Sequence, residues 1–170
     1  TGLVCAYVRA PSRERALARK PVFSALRDRF TYGTTGARIG LWFEVRITTE
    51  EGGTSWVHMG EETEIDLSAG DGAVARLHVE QDDQPLSSIE LLWLDPEEGE
   101  WQVCQQWSDP PSPADLRVDL ADACAAPGWN SYYVKVAQHA DPAGSPLPDA
   151  APDWVEREMA WSSPIWVWVD

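Results

Sequence analysis

From Gly40 to the end of the chain the apolar residues recur at every second position, in short runs broken by clusters of Gly, Pro, Asp and Ser. A period of two places alternate side chains on opposite faces of a strand, so each run buries one face only in a sheet. Leu41, Phe43, Val45 and Ile47 share one face of a first strand, and Ala73, Ala75, Leu77 and Val79 share that of another. The same alternation groups Ile89, Leu91 and Trp93, then Trp101, Val103, Gln105 and Trp107, then Leu116, Val118 and Leu120. Tyr132, Val134 and Val136 follow, and Ile165, Val167 and Val169 close the chain. Shorter strands are expected at Trp56–Met59 and Glu64–Leu67 around an acidic turn. About eight short strands without intervening helices predict a mainly β fold, two antiparallel sheets packed as a sandwich.

The first 38 residues read differently. Leu3 to Val8 form a continuous apolar run that suits a strand buried on both faces, as in a parallel sheet covered by helices. Ser12 caps a short helix through Arg19, and Pro21 fits the first turn of a second helix, where its missing N–H costs nothing. Val22, Leu26 and Phe30, with Phe23, give that helix an expected core-facing stripe. The chain therefore divides into a strand–helix unit with connector over residues 1–38 and a sandwich over 39–170. The opening residues resemble neither a signal peptide nor a natural start, and a piece of a longer protein is expected. Between Asp141 and Asp153, a Pro-, Ala- and Asp-rich stretch predicts a long surface loop.

Thirteen basic against 28 acidic side chains give a net charge of −15, which repels a phosphate backbone and an anionic membrane alike. No apolar run is long enough for a membrane-spanning helix. Neither nucleic acid nor membrane is expected as a partner. Cys5, Cys104 and Cys124 include no CxxC pair; spacing leaves open whether Cys104 and Cys124 are bridged, and with it the compartment.

Hydrolytic metal chemistry needs several ligating side chains converging on one ion. His58, His78 and His139 form neither an HxH nor an HExxH pair, and Glu61, Glu62, Glu64 and Asp66 lack the spacing of a calcium loop. No GxSxG elbow is present. No catalytic residue and no metal ligand is therefore assigned within the chain. Thr34, Thr35, Gly36 and Arg38, after Gly33, are candidates either for anion contact or for a tight connector into the first strand. Among ten tryptophans, Trp42, Trp166 and Trp168 are candidate aromatics of an interdomain or ligand face. Trp166 and Trp168 lie opposite Ile165, Val167 and Val169, so the last strand is either central and covered on both faces or docks its tryptophans against a second domain, with a stacking platform for sugar rings as the alternative.

The passage Phe23-Ser-Ala-Leu-Arg-Asp-Arg-Phe-Thr-Tyr-Gly-Thr-Thr-Gly-Ala-Arg38, with His58-Met-Gly-Glu61 and Ala160-Trp-Ser-Ser-Pro-Ile-Trp166, resembles the back end of a bacterial family of unknown function. That family is related to the polymerase and histidinol phosphatase, or PHP, metal-dependent phosphoesterases. In it a similar passage joins a distorted β/α barrel to a C-terminal β-rich region. The chain departs from the pattern at Gly33 and by an extra segment near Ala16 to Lys20. The resemblance makes residues 1–38 the remnant of an upstream β/α barrel and implies an accessory β-sandwich packed on its own upstream catalytic domain, with divalent metal held in that domain and none here. A module binding carbohydrate or another small ligand is the alternative, and an autonomous hydrolase a third.

Overall fold

The computed structural model describes residues 2–8, 10–139 and 158–170. The described strands are β1 (Leu3–Ala6), β2 (Thr31–Thr34), β3 (Gly40–Thr48), β4 (Thr54–His58), β5 (Glu62–Ile65) and β6 (Gly72–Glu80). They continue with β7 (Leu86–Leu94), β8 (Trp101–Ser108), β9 (Ala114–Asp119), β10 (Gly128–Gln138), β11 (Met159–Ser162) and β12 (Ile165–Val169). Three short helices, α1 (Arg13–Ala16), α2 (Arg19–Arg27) and α3 (Leu120–Ala123), accompany them.

The strands form a four-stranded sheet, β4-β3-β6-β9, and an eight-stranded one. In the larger sheet β10 is the spine. β7 and then β8 flank one side of it, while β11 and β12 lie along the other, continuing into β2 and β1 and into β5 respectively. All pairs are antiparallel except β12 with β5. Leu41, Phe43 and Val45 from one sheet meet Ile89, Leu91, Val134 and Ile165 from the other in a core where each is 0% exposed. Each such side chain contributes about 1.5–3 kcal/mol by leaving water. The sandwich expected from the alternation is therefore present, with more strands than the alternation alone marks.

Two of the links between the sheets are fixed by particular residues. Between β4 and β5 the chain crosses from one sheet to the other through a turn in which Gly60 has φ +92° and its N–H donates to the Pro164 carbonyl at 2.8 Å. A Cβ on Gly60 would lie 2.4 Å from the Arg29 carbonyl oxygen, so only glycine fits. The second link is a disulfide: Cys104 of β8 is bonded to Cys124, just beyond α3, with Cα atoms 5.6 Å apart.

Several expectations require correction. β1 is not buried on both faces in a parallel sheet: it is an antiparallel edge strand paired only with β2, and Leu3 and Val4 are exposed. The first helix ends at Ala16 rather than Arg19, although Ser12 does cap it by accepting from the Arg15 N–H. The stripe on α2 does not face the core. Ala25 is its one buried residue and Val22 and Phe30 are half-buried, but Phe23 and Leu26 are exposed, because a helix docked beside a sheet edge finds little surface to cover it. Trp101, Val103, Gln105 and Trp107 do not share a face. Gln105 pairs with Leu91 but Val103 with Leu92, so Cys104 is the extra residue of a bulge that turns Trp101 and Val103 outward. Leu120 is buried in α3 rather than in a strand. The loop expected over Asp141–Asp153 lies outside the described residues.

No break in hydrogen bonding marks residues 38 and 39. β2 pairs with β11, and the Tyr7 hydroxyl donates to the Leu41 carbonyl.

Candidate binding face

Both sheets point their inner residues at a common core, so functional differences lie on the outward-facing alternates. On the smaller sheet these build a closed polar network. Glu44 accepts from Trp42 Nε1 at 3.1 Å and from Arg76 Nη1 at 3.1 Å, and His58 Nδ1 lies 3.4 Å from it. Arg76 in turn lies over Trp56, 4.9 Å from its ring centre. Next to this network, His78 is held by Asp115 at 2.7 Å and Glu80 at 3.2 Å, and its pKa is raised chiefly by the hydrogen bond to Asp115. Tyr7 packs edge-on to Trp42 at 4.4 Å, and burial pushes its pKa from the ordinary 10.0 up to about 12. Trp42, expected on a ligand or interdomain face, is thus engaged within the chain.

The larger sheet presents an aromatic outer face. Strand register places Trp129 opposite Trp168, Ser131 opposite Trp166 and Lys135 opposite Trp161, while Leu94 pairs with Trp101. Trp129 and Trp168 meet edge-to-face at 5.5 Å, and Trp101 and Tyr133 at 4.7 Å. Trp101 and Trp129 are each 46% exposed, unusual for a residue so often buried. Arg29, entering from the end of α2, lays its guanidinium 4.9 Å from the Trp166 ring centre. With Glu62, Trp129 and Trp166 it lines a pocket of about 250 Å³. Trp166 and Trp168 therefore stand on the face where the strand periodicity puts them. Trp101, Trp129 and Arg29 were missed: the bulge at Cys104 hid the first, and no local signal marked the other two.

The connector residues point inward or to neighbouring backbone. Thr34 is buried and its hydroxyl accepts from the Gly36 N–H. Thr35 Oγ1 accepts from the Met159 N–H at 3.0 Å, and its own N–H donates to the Met159 carbonyl. The exposed Arg38 donates its backbone N–H to Asp82 at 2.7 Å. Gly36 has φ +140°, where a side chain is disfavoured. Here the passage from Phe23 to Arg38 meets the Met59–Gly60 turn and the stretch from Ala160 to Trp166. Arg29 Nε donates to the Gly60 carbonyl, Thr31 and Ser163 hydroxyls lie 3.1 Å apart, and Trp166 N–H donates to Glu61. Three separate stretches of sequence are tied into one knot.

Among the described residues, no group of three or more His, Cys, Asp or Glu is placed to hold a metal ion. The acidic cluster serves turns: Glu61 accepts from the His58 N–H, and Asp66 accepts from Ser68 and Ala69, the Ser68 hydroxyl chiefly holding its pKa down. His139 pairs with Asp109 at 2.7 Å.

The net charge conceals a division that the sequence displays once boundaries are known. Residues 1–38 carry eight basic and two acidic side chains, against five and 26 in the remainder. Of these cations, Arg13, Arg15, Arg19, Lys20 and Arg27 lie on α1 and α2, in the same unit as exposed Leu3, Val4, Leu17, Phe23 and Leu26. Comparisons with family models, with curated proteins and with solved structures found no match.

Proposed function

We propose that this chain is a non-catalytic accessory β-sandwich of a larger metal-dependent hydrolase of the phosphoesterase type, docked on its catalytic domain through the N-terminal strand–helix unit. The observation that carries this reading is the uncovered apolar set on β1, α1 and α2, interleaved with Arg13, Arg15 and Arg19. Exposed apolar side chains concentrated on one small element mark an interface, and the surrounding arginines suit an acidic partner surface. The kind of parent rests on the PHP-related resemblance, whose three sequence pieces adjoin one another beside this unit.

The test compares hydrogen exchange of residues 3–27 in the 170-residue chain with that in the parent protein. Strong added protection in the parent, lost in Leu17→Ser with Phe23→Ser, is expected; equal exchange in both contradicts the docking. Divalent metal would be held by the catalytic domain and activate water there. The chain alone is accordingly expected to hydrolyse no phosphate ester with Mn²⁺ or Zn²⁺. Turnover lost on replacing His58 or His139 overturns the accessory role.

A further inference from the structure

We infer that the pocket formed by Trp129, Trp166, Arg29 and Glu62 is a subsite for one neutral pyranose unit of a soluble glycan chain. This does not depend on the kind of parent, and only Arg29 of the pocket belongs to the N-terminal unit, outside the exposed apolar set proposed for docking.

Sugar rings have a C–H face that packs on indole and a rim of hydroxyls that needs both donors and acceptors. The pocket offers both. Trp129 and Trp166 belong to β10 and β12, neighbouring paired strands, so their positions are fixed by the sheet. Glu62, on the adjoining β5 and opposite Trp166, supplies an exposed carboxylate acceptor. Arg29 supplies donors. Its Nε is anchored on the Gly60 carbonyl at 3.0 Å and its Cζ lies 4.9 Å from the Trp166 ring centre, so the guanidinium is positioned before any ligand arrives.

At about 250 Å³ the pocket falls below the roughly 300 Å³ at which sites for drug-sized ligands begin, which suits a single ring. Trp168 beside Trp129, and Trp101 across the same face, continue the aromatic path for neighbouring units. The Trp129 and Trp168 planes are inclined at 69°, so these two rings do not form a flat platform of the kind a crystalline polysaccharide needs; a single chain able to twist is the matching ligand. Glu62 and Glu64 on β5 disfavour uronates and sulfated sugars. The Cys104–Cys124 bond agrees with an oxidising compartment, where such glycans are met.

Titration of the chain with cellohexaose, maltohexaose, mannohexaose and xylohexaose, followed by tryptophan fluorescence and calorimetry, tests the assignment, with polygalacturonate as the charged comparator. At least one neutral probe is expected to saturate, with Kd on the order of 0.01–1 mM. Trp129→Ala and Glu62→Gln should each weaken it by about tenfold or more, whereas Trp56→Ala, on the opposite outer face, should leave it unchanged. Circular dichroism verifies folding of each variant. No saturation by any neutral probe, undiminished binding by Trp129→Ala, or preference for polygalacturonate overturns the assignment. So does a concentration-dependent dimer abolished by Trp129→Ala, which makes a second copy the occupant.

Discussion

The two outer faces are built from the same alternation and yet end in opposite states. On the smaller sheet, Glu44 gathers Trp42, Arg76 and His58, and Arg76 lies over Trp56, which is itself 42% exposed, so the polar groups of this face are spent on each other and on its aromatics. On the larger sheet, Trp101 and Trp129 are exposed to a similar degree, but among the described residues no hydrogen bond engages the Glu62 carboxylate or the Arg29 Nη groups. A face that satisfies itself contributes to stability; one that does not is available to a ligand. Substitutions on the first should therefore cost folding energy, and substitutions on the second should cost binding.

The largest effects are expected where the chain joins the two sheets, because each face depends on their alignment. Gly60→Ala forces a Cβ against the Arg29 carbonyl at a positive φ, and a loss of about 3 kcal/mol or more is expected in urea unfolding. A near-neutral result would show that the turn can relax and that the knot does not align the sheets. Next, Cys104→Ser with Cys124→Ser opens a loop of sequence separation 20 and should cost about 3 kcal/mol. Reduction with dithiothreitol should lower the thermal midpoint in parallel.

Between the faces themselves the contrast sharpens. Glu44→Ala removes a carboxylate only 13% exposed and strands its donors, for about 2 kcal/mol by chemical denaturation. A smaller, pH-dependent effect comes from Tyr7. Its phenol is held neutral by burial, so its contribution is complete below 10.0 and is lost as pH rises towards about 12. Unfolding measured across that window should show stability falling, and less steeply in Tyr7→Phe. Burial raises Tyr32 and Tyr132 as well, so part of the fall should persist in that variant. The smallest change in stability, within about 1 kcal/mol, is expected for Trp129→Ala, whose ring stands on the open face. A cost matching that of Glu44→Ala would erase the distinction between the faces.

How much of this was legible beforehand varies along the chain. β3 and β6 follow from alternation, since Glu44 and Arg46, and Arg76 and His78, mark the outer face opposite Leu41 to Ile47 and Ala73 to Val79; β12 is apolar on both faces, and only the fold shows that Ile165, Val167 and Val169 turn inward. β8 did not follow, because a bulge changes the face mid-strand and leaves no mark in local periodicity. The helical stripe of α2 misled for another reason: amphipathicity states that a face wants cover, not that this chain supplies it. Thr34 and Thr35 were singled out by composition, and their partners, Gly36 and the distant Met159, explain the hydroxyls without an anion. The pocket at Arg29, Glu62, Trp129 and Trp166 was illegible as a unit. Its four residues come from separate stretches of chain.

The sequence by itself determined that this protein is a β-sandwich, since period-two alternation of apolar and polar residues assigns an inside and an outside to strands such as β3 and β6; for β12, apolar on both faces, it left open whether Trp166 and Trp168 face outward. Only the tertiary structure decided which outward residues satisfy one another and which stand open, and that Cys104 meets Cys124. Those outcomes depend on cross-strand register and on contacts between distant segments, and neither is encoded in any local pattern.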